Sequence, residues 1–184
     1  MDLIGTKLTY EHLRQMPDDG RRYELIEGEL AVSPAPKWQH QRIVRRLFEL
    51  LVRAENAGHG VVVPAPTDVV LDPEMNALQP DLLFIAKHRL EEIVTEDNVQ
   101  GAPDLVAEVL SASTAGRDLG VKLRVYARYG VRFYWVADPM PQVMRVFELR
   151  PGGYLENPAQ QGQDVLSCSL FPGITARVAD LFTD

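Results

Sequence analysis

The stretch from Pro103 to Asp138 reads PDLVAEVLSASTAGRDLGVKLRVYARYGVRFYWVAD. Residues 104–110 form a short apolar run, typical of a buried strand, that carries a single glutamate. Residues 114–129 repeat apolar positions at helical spacing and carry a single lysine, and residues 132–138 are an aromatic run typical of a second strand. A strand, a helix and a strand are therefore predicted here, with one glutamate and one lysine set among apolar side chains.

The composition predicts one globular domain over residues 1–184, with 46% hydrophobic and 24% charged residues. The single cysteine, Cys168, excludes an intramolecular disulfide framework and a multi-cysteine zinc site. No window approaches the roughly 20 apolar residues of a membrane span, and the N-terminus lacks the pattern of a secretory signal. We expect a cytoplasmic protein with no membrane partner.

The segments around this stretch predict an α/β protein with a mixed central sheet flanked by helices. The apolar runs of YELIEGELAVS (23–33) predict an N-terminal hairpin that turns at Gly28, and helical periodicity continues from the residues after Pro36 to Gly58. Residues 142–149 predict a C-terminal β-hairpin with the strand at 132–138. The remaining predicted elements are a short helix at 8–16, a strand at 61–71 interrupted by prolines, a strand at 80–86, and a loop with a short helix at 87–101.

Two acids occupy costly positions on predicted strands. Strand alternation places Glu108 on one face with Val106 and Leu110, so its neighbours are apolar. Asp81 opens the apolar run LLFIA in the same way. A buried carboxylate needs a paired charge or a bound cation, and two of them on neighbouring strands predict a site for a hard divalent metal.

The helix that follows Glu108 supplies a cation. At 100° per residue, Arg117, Arg124 and Arg128 share one side, and Lys122 lies roughly opposite them, toward the sheet. The chain has only four lysines, so one set among Leu and Tyr residues suggests an ammonium directed at a carboxylate or a phosphate. The alternatives are a lysine that extends to solvent and a simple ion pair with Asp118.

Two acids and a lysine around a metal ion can hydrolyse a phosphodiester bond. The metal neutralises the phosphate and lowers the pKa of a bound water, while the lysine orients that water or stabilises developing charge. A second Pro-Asp pair, Pro103-Asp104, competes with Pro80-Asp81. We discount it because Asp104 lies on the same strand as Glu108, which leaves no separate strand to complete the site.

At these residues the sequence resembles the PD-(D/E)XK nuclease superfamily. The segments YELIEGEL, QPDLLFI and EVLSASTAGRDLGVKLRVYARYGVRFYWVADP are similar to the Uma-two family of restriction endonucleases within it, from about Tyr23 to the C-terminal LFPGI. The superfamily usually places its lysine two residues after the acid, where this chain has Leu110. Lys122 resembles the migrated lysine of some branches.

This resemblance implies a restriction-endonuclease-like fold and a role for each matching residue. Asp81 and Glu108 become metal ligands for Mg²⁺ or Mn²⁺, and Lys122 becomes the catalytic lysine. The supporting residues implied more loosely are Glu24 or Glu27, His40 and Asp118. The implied activity is endonucleolytic cleavage of DNA.

Other interpretations remain open at this point. A net charge of −7 and the lack of a DNA-reading motif favour a catalytically inactive nuclease-fold module that binds nucleic acid or a protein partner. A purely structural ion pair between Lys122 and Glu108 is a third interpretation. The aromatic strand at Phe133–Trp135 is either core or an exposed face for a homodimer, which would match a palindromic duplex.

Overall fold

The main sheet of the protein is mixed, as predicted. The structure, a computed structural model, describes residues 7–183. The strands of this sheet are β3 (Gly60–Pro64), β6 (Leu82–Ala86), β8 (Leu105–Val109), β9 (Phe133–Asp138), β10 (Val143–Arg150), β11 (Gly153–Glu156) and β12 (Gln160–Gln161). Within the described residues, their order in the sheet is β11-β10-β9-β8-β6-β3, with β12 paired to β10. The β8–β9 pair is parallel, and the other strand pairs of the sheet are antiparallel.

A second sheet contains the N-terminal hairpin. Its strands are β1 (Arg22–Ile26), β2 (Glu29–Ser33), β4 (Val69–Asp72), β5 (Asn76–Leu78) and β7 (Val99–Gln100), in the order β2-β1-β5-β4-β7. The prediction of one central sheet missed this second sheet because β5 and β7 are very short and lie in segments rich in turn residues and acids. The predicted strand at 61–71 is divided after Pro64, and its second half is β4 of this sheet.

Helices pack on the main sheet and connect its strands. The long helix α2 (Trp38–Asn56) buries Ile43, Leu47 and Leu51 against one face of the sheet. Between β8 and β9, the predicted helix is present as α4 (Ala115–Arg117), a π turn (Asp118–Lys122) and α5 (Leu123–Tyr129). The shorter helices are α1 (Tyr10–Leu13), α3 (Leu90–Ile93), which follows a 3₁₀ turn at Lys87–Arg89, and α6 (Val178–Phe182). No helix in residues 7–183 combines the length and the apolar character needed to cross a bilayer.

The aromatic strand β9 is buried on both faces. Tyr134 packs with Tyr126 on the side of α5, whereas Trp135 packs edge-on against Phe171 on the side of α2. The hairpin partner β10 buries Met144, Val146 and Phe147 in the same layers. The idea that one face of this strand is exposed for a homodimer is therefore wrong, and its aromatic bulk is explained by two cores.

A glycine is required where α2 leads into the main sheet. A Cβ on Gly60 would overlap the carbonyl oxygen of Ile85 and lie 2.9 Å from ring atoms of Phe84. Gly60→Ala is therefore expected to lower the free energy of unfolding by about 1–3 kcal/mol through overpacking. Urea denaturation measures it.

The matched control is Gly116→Ala in α4, where an added methyl group meets open space. This change is expected to be neutral or to stabilise by about 0.4–1 kcal/mol, because alanine restricts the unfolded chain. Equal effects of the two substitutions would contradict the packing described for β3 and β6.

Candidate active site

Two neighbouring antiparallel strands bring Asp81 and Glu108 together. In the β6–β8 pair, Leu82 lies opposite Ala107, so the next position along places Asp81 opposite Glu108 on the same face. The Asp81 backbone N–H lies 3.4 Å from Glu108 Oε2, and the Val109 N–H donates to Asp81 Oδ2 at 2.8 Å. Both acids are buried. The strand register thus fixes two carboxylates side by side in an apolar sheet.

The side chain of Lys122 points to the sheet, as the helical spacing predicts. It is only 3% exposed, and its Nζ lies 2.8 Å from Glu108 Oε1 and 2.8 Å from Glu24 Oε1. Asp118, one turn earlier, contributes Oδ1 at 3.6 Å. The ammonium is therefore shared among three carboxylates. Lys122 and Glu108 are therefore not an isolated ion pair, because Glu24 and Asp118 contact the same ammonium.

Of the two hairpin acids predicted to support the site, the structure brings only Glu24 into the cluster. Glu24 is buried on β1 and also accepts the backbone N–H of Gln79 at 3.0 Å. Glu27 lies in the hairpin turn with φ 53° and pairs with Arg128 at 3.0 Å. Its side chain is 35% exposed, so it lies outside the acidic cluster.

Two side chains contact Asp81 from outside the strand pair. His40, in the first turn of α2, places Nε2 3.1 Å from Oδ2, and Arg22 places Nη1 3.0 Å from Oδ1. The sequence prediction included His40 but missed Arg22. The available signal was alternation on β1, which places Arg22 and Glu24 on one side of the strand.

Arg117 also differs from its predicted position. The 100° spacing places it away from Lys122, yet its Nη1 lies 3.8 Å from Glu24 Oε2, at the edge of the same cluster. The cause is the π turn at Asp118–Lys122, whose i→i+5 hydrogen bonding brings residues five apart toward one side. The competing acid, Asp104, lies elsewhere and contacts the Ala86 N–H at 2.8 Å and Arg89 at 3.2 Å.

The pKa values of Asp81 and Glu108 shift in opposite directions because different side chains surround the two carboxylates. Burial alone would raise the pKa of Asp81, but the hydrogen bond and charge of His40, with the charge of Arg22, lower that pKa to about 2. Burial raises the pKa of Glu108 to about 8; the Lys122 charge opposes this and the neighbouring acids add to it. Burial disfavours the Lys122 ammonium, yet Glu108, Glu24 and Asp118 raise its pKa well above the ordinary value.

These shifts predict how stability varies with pH in metal-free buffer. Because the folded-state pKa of Glu108 is about 8 against an ordinary 4.5, its stabilising contribution is complete below 4.5 and is lost as pH rises through 8. The free energy of unfolding of the native protein, minus that of Glu108→Gln, is therefore expected to fall by roughly 2–5 kcal/mol between pH 5 and pH 9. Urea denaturation in EDTA at each pH measures it.

Glu156→Gln is the matched control for this pH series. The hydrogen bond from Arg145 lowers the pKa of Glu156 below its ordinary 4.5, so its contribution is complete above 4.5 and is lost only as pH falls below that value. The corresponding difference for Glu156→Gln should thus stay constant between pH 5 and pH 9. A constant difference for Glu108→Gln as well would contradict the raised pKa of Glu108.

The donor set suits a hard divalent cation held by few protein ligands. Within residues 7–183, no three His, Cys, Asp or Glu side chains are arranged to hold a metal ion. Asp81 and Glu108 nevertheless lie opposite each other on adjacent strands, and Mg²⁺ commonly binds through one or two carboxylates while keeping several waters. The pair therefore fits such an ion, although Asp81 is engaged by Arg22 and His40 in the free protein.

Comparisons with known proteins agree with this architecture. A crystal structure described as a "putative nuclease belonging to DUF820 from Anabaena variabilis ATCC 29413" is similar with a TM-score of 0.79, over 95% of this chain and 97% of that chain. At 16% sequence identity this likeness shows a shared fold, and the predicted fold class is confirmed. No curated protein sequence matches the chain. The family model Uma2, described as "Putative restriction endonuclease", matches residues 10–179, and the chain therefore belongs to the Uma2 family.

Proposed function

We propose that the protein is a divalent-metal-dependent endonuclease that hydrolyses phosphodiester bonds of DNA. The observation that carries this proposal is the pairing of Asp81 with Glu108 on adjacent strands, with the Lys122 ammonium 2.8 Å from Glu108. Membership in a family described as restriction endonucleases supports the same reaction class. The active site proposed here is the cluster built on these three side chains.

In this proposal Asp81 and Glu108 hold Mg²⁺ or Mn²⁺. When bound, the ion would neutralise the scissile phosphate and lower the pKa of a coordinated water. The raised pKa of Glu108 means that ion binding releases a proton, so affinity is expected to increase with pH up to about 8. The apolar surroundings of the two strands exclude bulk water from the carboxylates.

Lys122 acts as a fixed positive charge. Its raised pKa keeps the ammonium protonated, so it cannot take a proton from the attacking water. It can donate hydrogen bonds to that water or stabilise charge on the phosphate in the transition state. Glu24 and Asp118 hold the ammonium from the sides and are positioning residues.

The partly exposed edge of the cluster is cationic. Arg22 and Arg117 have side chains 22% and 21% exposed, whereas the carboxylates that they contact are nearly inaccessible. A phosphate approaching the site therefore meets positive side chains first. Local positive charge of this kind explains how a protein of net charge −7 can accept DNA.

The proposal is tested by incubating the protein with supercoiled plasmid in Mg²⁺, in Mn²⁺ and in EDTA. Nicked or linear product in the metal-containing buffers, and none in EDTA, is expected because a circle can be opened only by an endonuclease. DNA binding without cleavage in either metal would instead support the inactive binding module. Neither binding nor cleavage would contradict DNA as the substrate.

Cleavage of a palindromic duplex on both strands would use two copies of the site. Homodimerisation therefore stays a prediction, and sedimentation velocity with and without duplex measures it. The aromatic strand β9 is not available as the contact surface, because both of its faces are buried.

A further inference from the structure

Asp81 is contacted by two groups that lie close to the backbone of a strand or a helix, and by the end of one long side chain. Its Oδ2 accepts the Val109 backbone N–H at 2.8 Å and lies 3.1 Å from His40 Nε2, so it is fixed by a strand and by a helix. Its Oδ1 is contacted at 3.0 Å by the guanidinium at the end of the long Arg22 side chain. One side-chain movement would therefore free Oδ1 for another cation.

The charges around the site are consistent with such an exchange. The cluster contains four carboxylates: Glu24, Asp81, Glu108 and Asp118. Three side chains of fixed positive charge contact them: Arg22, Arg117 and Lys122. Exchanging one monovalent cation for a divalent ion balances the four carboxylates. Arg22 is the member of this set that contacts Asp81, so it is the one such an ion would replace.

Arg22 also has a route out of the cluster. It is the first residue of β1, and its side chain is 22% exposed, whereas that of Lys122 is only 3% exposed. Guanidinium binds carboxylates and phosphates with the same planar donor geometry. An arginine released from Asp81 at this edge can therefore bind a phosphate at the mouth of the site.

We propose that Arg22 is an exchangeable cation. In the free protein its guanidinium pairs with Asp81 Oδ1, and when a divalent ion binds, the guanidinium moves to a backbone phosphate of bound DNA. This inference rests on the proposed function, since it assigns a metal to Asp81 and a phosphodiester to the mouth of the site. Arg22 thereby couples metal binding to substrate binding.

The test compares Arg22→Gln with Arg21→Gln by isothermal titration with Mn²⁺ in the absence of DNA. Arg21 is the neighbouring residue, pairs with Asp19 and has a side chain 55% exposed, so its substitution makes the same charge change away from the cluster. Arg22→Gln is expected to bind Mn²⁺ about tenfold more tightly than the native protein, because the competing cation is gone. Arg21→Gln should bind as the native protein does.

Arg117→Gln separates competition from a general charge effect. Arg117 lies 3.8 Å from Glu24, so removing its charge raises Mn²⁺ affinity only through the field of the cluster. Its effect is expected to be about threefold or less, clearly below that of Arg22→Gln. Similar gains for the two variants would overturn the exchange.

The second readout is binding of a short duplex in Ca²⁺, followed by fluorescence anisotropy at several salt concentrations. Arg22→Gln is expected to bind duplex about fivefold more weakly, with a salt dependence reduced by about one phosphate contact. Unchanged duplex affinity would overturn the second half of the proposal.

Two further comparisons keep the outcomes distinct. If native protein binds Mn²⁺ and Glu108→Gln does not, but Arg22→Gln gains no affinity, the exchange is wrong and the metal site stands. If native protein binds no Mn²⁺, the proposed function itself fails.

If Arg22→Gln does not fold, Arg22→Lys takes its place, because it retains the charge on a side chain with a shorter reach. Arg22→Lys is expected to bind Mn²⁺ about threefold more tightly than the native protein. No gain in affinity would overturn the proposal.

Discussion

Glu108→Gln is expected to lower the rate of plasmid cleavage by roughly a hundredfold to a thousandfold, the scale of losing one key electrostatic group in an active site. Glu108 is one of two adjacent carboxylates proposed to hold the metal, and Gln removes its charge while keeping its shape. Because Gln is nearly the same size as Glu, the substituted side chain is expected to stay as buried as Glu108 is. Initial rates of nicking at saturating Mg²⁺ measure the effect.

The matched control for this substitution is Glu92→Gln, which makes the same isosteric change on a side chain 65% exposed in α3. It is expected to cleave at the native rate. Asp81→Asn should resemble Glu108→Gln. Cleavage by Glu108→Gln within about threefold of native, in a protein that circular dichroism shows to be folded, would show that the reaction does not use this carboxylate.

Lys122→Met is expected to have the largest effect on stability of any change considered. It removes the ammonium shared by Glu24, Glu108 and Asp118, and leaves buried carboxylates without a central partner. Removing one member of a buried ion cluster typically costs about 3–5 kcal/mol in the free energy of unfolding. Urea denaturation at pH 9, above the Glu108 pKa of about 8, measures it, and cleavage should also be lost.

The double variant Lys122→Met/Glu108→Gln separates the structural from the catalytic role. Neutralising Glu108 removes one of the stranded carboxylates, so the double variant is expected to regain part of the lost stability. Glu24 and Asp118 remain, so recovery should be incomplete, and cleavage should stay absent. Full recovery would mean that Lys122 and Glu108 form an isolated pair, and recovered cleavage would contradict a catalytic role for either.

The sequence predicted the parts of the site that depend on simple periodicity. Alternation on β8 placed Glu108 correctly on one face, and the helical spacing correctly directed Lys122 at the sheet. These inferences succeeded because β8 is regular and buried on both faces. Asp81 was found for the same reason, since its acid opens a wholly apolar strand.

The parts that were missed depend on departures from regular periodicity and on long-range pairing. Arg117 reaches Glu24 because a π turn changes the helical phase, which a 100° helical wheel cannot represent. Arg22 reaches Asp81 across 59 positions of the chain, and only the packing of the second sheet against the first makes that contact. That sheet is itself assembled through β5 and β7, strands too short to show alternation.

The most direct test of the proposed site is a crystal of the protein soaked in Mn²⁺, examined by anomalous scattering. We expect an anomalous peak between the carboxylates of Asp81 and Glu108, absent from Glu108→Gln crystals soaked in the same way. An anomalous peak at another set of residues, in a protein that cleaves DNA with Mn²⁺, would contradict it.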